Sequence, residues 1–430
     1  MSKETSRRFF LGAATALAAQ RVMGANERPS LVVIGIGGRG RDHLNNYGAL
    51  KSEVDLIGVC DVNQAARERG AAMVLKSNQV KAREYDDMRK VFEDKDVNAV
   101  SFATPNHWHA LGTIWALRAG KDVYVEKPAS HNIYEGTRMV EEARKLGRMV
   151  QVGSQSRSIP HKMEAMQRLQ EGVIGKIYQA KALCYKRRKS IGRTPELDQP
   201  PSGIDWDQFL GPAPMRKFTQ NRFAYNWHWF WDTGNGDIGN QGVHEMDIAR
   251  WGMGVSWPTS VVSTGGKLVY DDDQETPNTQ LTTLDYGNGQ SIVFEVRGMP
   301  SGPDWPLKKR GANTVGNIFF GSDGILAVDG SGYQVYKGEE LALSVEVPSQ
   351  RGSDVQAHMS NFLKGVKSRN YKDLNAEIEI GAISAGLCHL ANIAYRVGRK
   401  LEFDPAALRF PNAPDANLHL TRDYRKPYVV

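Results

Sequence analysis

Three cysteines in 430 residues, at positions 60, 184 and 388, are too few and too scattered for a disulfide framework. They show no metal-ligand spacing either, so no metal site is expected. Long apolar runs are also missing: beyond residue 25 no segment approaches the ~20 residues that span a bilayer. Charge of one sign is in short supply. The formal net charge is +7, but Lys3, Arg7, Arg8 and Arg21 against Glu4 give the first 25 residues +3, which leaves +4 for the rest. So mild an excess speaks against nucleic acid as the main partner. The basic run Lys186-Arg187-Arg188-Lys189 reads as a solvated face or an anion contact.

What is present begins with SRRFFL at 6–11, an apolar run to Ala19 and small residues at Gly24-Ala25. This is the form of a twin-arginine export signal, with an apolar stretch too short to span a membrane. The expectation is a signal over 1–25 and a soluble protein that works in the periplasm or otherwise outside the cytoplasm. The remaining length exceeds one compact core, so two domains are expected, over 29–153 and 154–430.

The first of these reads as alternating strands and helices. A β-branched run at 31–34 breaks into Gly35-Ile36-Gly37-Gly38-Arg39-Gly40, a helix follows over 39–50, and a second strand over 54–59 ends at Cys60-Asp61. Strand, glycine turn, helix, strand and then an acid make the dinucleotide fingerprint. Gly35 permits the tight turn, Gly37 lets the backbone approach a pyrophosphate, and Gly40 allows close helix–strand packing. The phosphates sit on free N–H groups at the helix start, where Ile36, Gly38 and Arg39 also lie. Asp61 accepts from the ribose hydroxyls and repels a 2′-phosphate, which favours NAD over NADP. Helices over 65–76, 85–92, 110–119 and 134–146 alternate with strands over 97–103, 122–125 and 149–152, as in a doubly wound parallel sheet. Ligands bind beyond the carboxyl ends of such strands, where Thr104-Pro105-Asn106, Glu126-Lys127-Pro128 and Gly153-Ser154-Gln155 fall.

GIGGRG (35–40), TPNHWHA (104–110), EKP (126–128) and GVHEMD (242–247) together resemble the glucose–fructose oxidoreductase / inositol dehydrogenase / MocA family. The resemblance implies an N-terminal Rossmann-type domain and a C-terminal α+β domain with a large, open, mostly antiparallel sheet. It also implies a homodimer or homotetramer formed through that sheet. Lys127 matches the lysine that points at the junction of nicotinamide and substrate and polarises the substrate oxygen, and Glu126 contacts the cofactor ribose or fixes Lys127. Thr104, Pro105, Asn106 and His109 fall beside the nicotinamide half. His244 matches a general acid/base, with Asp247 three residues later. Position 240 is Asn where dehydrogenases of the family often carry Asp, which weights Lys127 or His244 as the base. On one helix, Asn240, His244 and Asp247 share a face. A histidine near its ordinary pKa both takes and returns a proton near neutrality.

Past 154 strands dominate, over 177–185, 261–268, 280–286, 291–296, 317–321 and 325–329, with a helix over 378–396. Between them lies RFAYNWHWFWD (222–232). Aromatic faces stack on sugar rings, so Tyr225, Trp227, His228 and Trp229 are candidate substrate contacts, with Arg157, Asn240 and His244. The reading is an exported NAD-dependent oxidoreductase of a carbohydrate or glycoside that holds its cofactor tightly. One alternative is a redox-neutral glycosidase that oxidises, eliminates, hydrates and reduces. The other is a sugar-binding protein with a vestigial cofactor site.

Overall fold

Five short segments, SLVVI, DLIGVC, AVSF, DVYV and VQV, are almost wholly buried, as parallel strands covered on both faces must be. They form β1 (Ser30–Ile34), β2 (Asp55–Cys60), β4 (Ala99–Phe102), β5 (Asp122–Val125) and β6 (Val150–Val152), with β3 (Arg83–Tyr85) at one edge. All pair in parallel in the order β3-β2-β1-β4-β5-β6. The helices between them are α1 (Gly38–Ala49), α2 (Gln64–Asn78), α3 (Met88–Glu93), α4 (Asn106–Arg118) and α5 (Ile133–Leu146). The strand order reverses between β1 and β4, the switch point that opens a ligand crevice.

These coordinates come from a computed structural model and describe residues 28–350 and 354–430; the expected signal over 1–25 lies outside the described residues. The helix expected from residue 85 starts later. Arg83-Glu84-Tyr85 adds an edge strand to β2, and α3 begins after Asp87, whose side chain accepts from Arg89 N–H. Three mostly exposed residues carry no alternation for a sequence reading to detect.

The second sheet has nine strands: β7 (Ile177–Tyr185), β8 (Ser260–Gly266), β9 (Thr279–Asp285), β10 (Ser291–Arg297), β11 (Thr314–Gly321), β12 (Gly324–Asp329), β13 (Gly332–Lys337), β14 (Ala342–Pro348) and β15 (Leu401–Glu402). Their order is β14-β13-β12-β11-β7-β10-β9-β8-β15, and only β7–β10 is a parallel pair. In β10 the residues Ile292, Phe294 and Val296 point inward and alternate with half-buried neighbours. This is the mark of a sheet with one covered face. That face packs on α6 (Pro160–Gln170), α9 (Gly242–Met253) and α11 (Ile378–Val397), with Met166, Met246, Phe294, Phe319 and Leu387 in one core. Short α7 (Trp206–Leu210) and α8 (Gly236–Asn240) lie between the two sheets in sequence. By length and composition α11 could cross a membrane, against the expectation that no segment would approach that length; 78% of its apolar 18-residue stretch is buried inside the protein.

The chain also returns to its first sheet. Met359, Phe362, Leu363 and Val366 of α10 (Asp354–Ser368), with Leu374, join Leu31, Val33, Tyr47 and Tyr124 in a core on one face of that sheet. Phe362 is fully buried, edge-on to Tyr124 at 5.9 Å. Phe362→Ala should therefore cost about 3–5 kcal/mol in chemical denaturation. A loss under about 1 kcal/mol would mean that α10 docks without contributing to that core.

Candidate active site

The turn from β1 to α1 is built as a cradle. Gly35 has φ +88°, and a Cβ there would lie 2.8 Å from the Ala103 backbone. A Cβ on Gly40 would lie 1.8 Å from the Gly35 carbonyl oxygen, whereas Cβ atoms on Gly37 and Gly38 would meet nothing within 4 Å. Two glycines thus close the packing and two keep space open at the helix start, where free N–H groups accept an anion. Asp61 is fixed at the end of β2: its Oδ2 accepts from Ile36 N–H at 2.6 Å and its Oδ1 from Asn63 N–H at 2.8 Å. Gly35, Ile36, Gly37, Asp61, Thr104 and Pro105 line a cavity of about 240 Å³, walled on its other side by Trp108, Phe209, Trp227 and Tyr428. Thr104 Oγ1 is buried with no partner. Open glycine faces, an anchored acid and an orphaned hydroxyl fit a dinucleotide.

Several residues expected at the cofactor do other work. Glu126 Oε1 holds Arg39 Nε at 2.8 Å and His43 Nε2 at 3.0 Å, and Lys127 N–H donates to Oε2 at 3.3 Å. Burial pushes this carboxyl up, but Arg39 and His43 overcome it and keep it well below the usual range. Glu126 therefore fixes Lys127, the second of its two expected roles, and Arg39 is its counter-ion. His109 directs Nδ1 at the Pro128 carbonyl (2.7 Å) and Nε2 at that of Thr104 (2.9 Å), which clamps the two loops and leaves no ring nitrogen free. Asn106 donates to Asn235 Oδ1 at 3.0 Å and ties α4 to the start of α8.

Lys127 projects from the end of β5 and donates from Nζ to the Asn240 carbonyl at 2.6 Å. Burial lowers its pKa to about 8, against the pull of Glu126. Asn240 Nδ2 donates to Tyr225 Oη at 2.8 Å, as Arg188 does at 3.2 Å, and Arg188 also pairs with Asp237 at 2.6 Å. Arg188 of the basic run, and Lys186 on Gln241, thus reach the site, whereas Arg187 bonds Tyr270 and the Gly298 carbonyl and Lys189 is exposed.

The single helical face expected for Asn240, His244 and Asp247 is broken. The chain leaves α8 at Asn240 and re-enters helix at Gly242, where a Cβ would lie 2.4 Å from the Phe294 ring. Asp247, although three residues from His244 on the same helix, is not its partner. Both its oxygens bind Arg157 (2.8 and 2.9 Å), and Ser384 Oγ donates at 2.6 Å. This corrects two roles together, because the Arg157 guanidinium is consumed by that pair and stacked 4.7 Å over Trp251, and neither residue lines the cavity that opens at His244. His244 Nδ1 is buried with no partner, and burial reinforced by Lys127 pushes its pKa well below the ordinary value. It stays a neutral imidazole rather than titrating near neutrality.

The aromatic run divides. Trp229 and Phe230 are buried, Trp227 stacks on His228 at 3.5 Å and lines the cofactor cavity, and Tyr225 is half exposed. None of them lines the larger cavity, of about 540 Å³, that opens at His244 and Gln241. Gln155, from the loop expected at the strand ends, and Lys186, from the basic run, do, together with Lys162 and Glu245, which sequence reasoning passed over. Lys186 Nζ donates to Gln241 Oε1 at 2.9 Å, which turns the amide N–H groups toward Glu245. Burial raises the Glu245 pKa to about 7. Its place directly after His244 was the available signal.

Three family profiles match the chain: an oxidoreductase family with NAD-binding Rossmann fold over residues 30–154, a GFO/IDH/MocA C-terminal domain over 212–310, and an oxidoreductase-family C-terminal alpha/beta domain over 323–430. The chain belongs to the GFO/IDH/MocA oxidoreductase family. Inositol 2-dehydrogenase of Salmonella typhimurium is 31% identical over 169 residues, 39% of this chain and 48% of that protein, so the match spans about half the relative's length. The scyllo-inositol 2-dehydrogenase (NAD(+)) of Bacillus subtilis is 26% identical over 299 residues, 67% and 73% of the two chains. The WlbA dehydrogenase from Bordetella pertussis, solved with NADH and UDP-GlcNAcA, shares the fold with a TM-score of 0.65 at 17% identity, over 88% of this chain and 99% of that one. The first domain of this GFO/IDH/MocA protein is thus an NAD-binding Rossmann domain, and NAD is its cofactor.

The Arg157–Asp247 pair lies within this family fold as a buried ion pair, and breaking such a pair leaves an uncompensated charge. Asp247→Ala should lower stability by about 3–5 kcal/mol in chemical denaturation. A variant as stable as the parent would return Asp247 to the list of substrate-facing groups.

Proposed function

We propose that the protein oxidises a hydroxyl-bearing carbon of a carbohydrate or glycoside and reduces the corresponding ketone. The observation that carries this reading is Lys127: its Nζ has no carboxylate partner among the described residues and is held on the carbonyl of Asn240, next to Gln241, which lines the cavity that opens at His244. NAD, when bound, supplies the hydride acceptor. With a pKa of about 8, Lys127 takes the hydroxyl proton as a neutral amine and returns it as an ammonium in the reverse direction. The Asn240 carbonyl holds Nζ in place, and Tyr225 with Arg188 holds Asn240. Neutral His244 offers a hydrogen bond to the reacting oxygen without competing for its proton. Asn240 cannot take a proton, so the burden falls on Lys127. The inositol dehydrogenase relatives support a polyhydroxylated ring as substrate. Twin-arginine export, tight cofactor retention and assembly through the second sheet belong to the same proposal, because an exported enzyme has no free nicotinamide pool to draw on.

Protein purified without added nucleotide should release NAD on denaturation, identified by mass. With NAD present, myo-inositol, free hexoses or chromogenic glycosides should generate NADH absorbance. The oxidation rate should climb about tenfold per pH unit below 8 and level off above it, because protonated Lys127 cannot accept a proton. Lys127→Met should lower kcat by roughly 10²–10⁴-fold. A flat profile from pH 6 to 9, or a fully active Lys127→Met, would remove Lys127 as the base. Release of aglycone with no net NADH would redirect the assignment to a redox-neutral glycosidase.

A further inference from the structure

The cavity that opens at His244 and Gln241 is larger than one sugar ring requires. It continues over Val315 and Gly316 of β11 and Val328 and Asp329 of β12 toward Arg310 and Asn313. Its volume is about 540 Å³, whereas a cavity of roughly 150 Å³ already admits a six-carbon ring. The hydroxyl to be oxidised must reach Lys127, whose Nζ is held on the Asn240 carbonyl, one residue from the Gln241 that lines this space, with Lys186 and Glu245 nearby. A single ring placed there leaves most of the cavity beyond it unfilled.

The walls of that remainder are polar and short of partners. Lys162 and Glu245 are 8% and 4% exposed, yet neither has an ion-pair partner among the described residues. Lys162 Nζ donates to Ser156 Oγ at 3.1 Å, and the Glu245 carboxylate accepts from Gln241 Nε2 at 3.3 and 3.4 Å. Gln155 Oε1 is buried with no partner at all. Buried donors and acceptors left this way are unfavourable unless a ligand or water completes them. Both signs of charge are present, with Lys162 and Lys186 facing Glu245, Asp329 and Asp354. The lining therefore selects neither an anion nor a cation, and it suits an array of hydroxyls that donate to some groups and accept from others.

We infer that this is a two-ring site: the ring to be oxidised lies at the Lys127–His244 end, and a second sugar ring is held by Gln155, Lys162 and Glu245. The inference rests on the carbohydrate oxidoreductase reading and narrows it to disaccharides, or to glycosides with a sugar as aglycone, in preference to monosaccharides and cyclic polyols.

The test compares methyl β-D-glucopyranoside with cellobiose, maltose and lactose on the full-length, NAD-loaded protein, by calorimetric titration and by NADH formation. At least one disaccharide should bind ten times more tightly than the methyl glucoside and be turned over with a correspondingly higher kcat/KM. In Lys162→Met and Glu245→Gln that preference should fall to threefold or less. The second-ring assignment is overturned if no disaccharide binds more tightly than the single-ring glycoside, a comparison that needs no variant. It is equally overturned if both variants weaken the two classes in the same proportion. Disaccharide-selective binding without NADH from any sugar would overturn hydride transfer and leave the two-ring site standing.

Discussion

The Glu126 carboxylate, buried where α1 passes the end of β5, binds Arg39 and His43 on the helix while its own chain carries Lys127 into the site. His43 passes the contact on to Ser101 of β4 at 2.9 Å. One anion thus sets the distance between the glycine cradle, which begins α1, and the lysine that serves the substrate. The packing leaves no slack, since a Cβ on Gly153 would lie 2.8 Å from the same carboxylate. Buried charges of this kind cost desolvation and are kept only where geometry and further hydrogen bonds compensate. Here Glu126 is satisfied by Arg39, His43 and the Lys127 N–H, while Arg39 Nη2 is left buried without a partner, and what the cluster secures is alignment between two loops that come from different strands.

The second determinant is the junction at Gln241. Just before it, the Asn240 carbonyl faces Lys127; just after it, one helix sends Asp247 inward to Arg157 and Ser384 and places His244 and Glu245 in the cavity. A short stretch of chain thereby joins core packing to the lining of the cavity. Two groups there titrate near neutrality, Lys127 at about 8 and Glu245 at about 7, while burial holds His244 far below.

Local pattern made much of this architecture readable. The β-branched runs, the glycine turn and the acid after β2 are short-range features, and the Rossmann sheet follows from them; the lysine of EKP was found through family likeness. What escaped the sequence is what depends on distant partners. Arg157 and Asp247 are 90 positions apart and look like two site residues until their oxygens and nitrogens are matched. Glu126 and His109 carry site-like chemistry but are taken up by neighbouring loops. The hairpin of β13 and β14 went unread because β14 is largely exposed and lacks a buried alternation. The break at Gln241 depends on Phe294, 53 residues on in sequence, against which Gly242 packs.

The return of α10 to the first sheet also bears on how the protein is made. Tyr47 and Tyr124 are translated early, but Met359, Phe362 and Leu363, which join them in one core, emerge more than two hundred codons later. Domains generally fold as units from the N-terminus during synthesis. Here α1 and α2 supply part of that core, and α10 supplies the rest. Until the late helix arrives, the surface it covers around Tyr124 stays open, so the first domain's core is completed only after the second sheet has been translated.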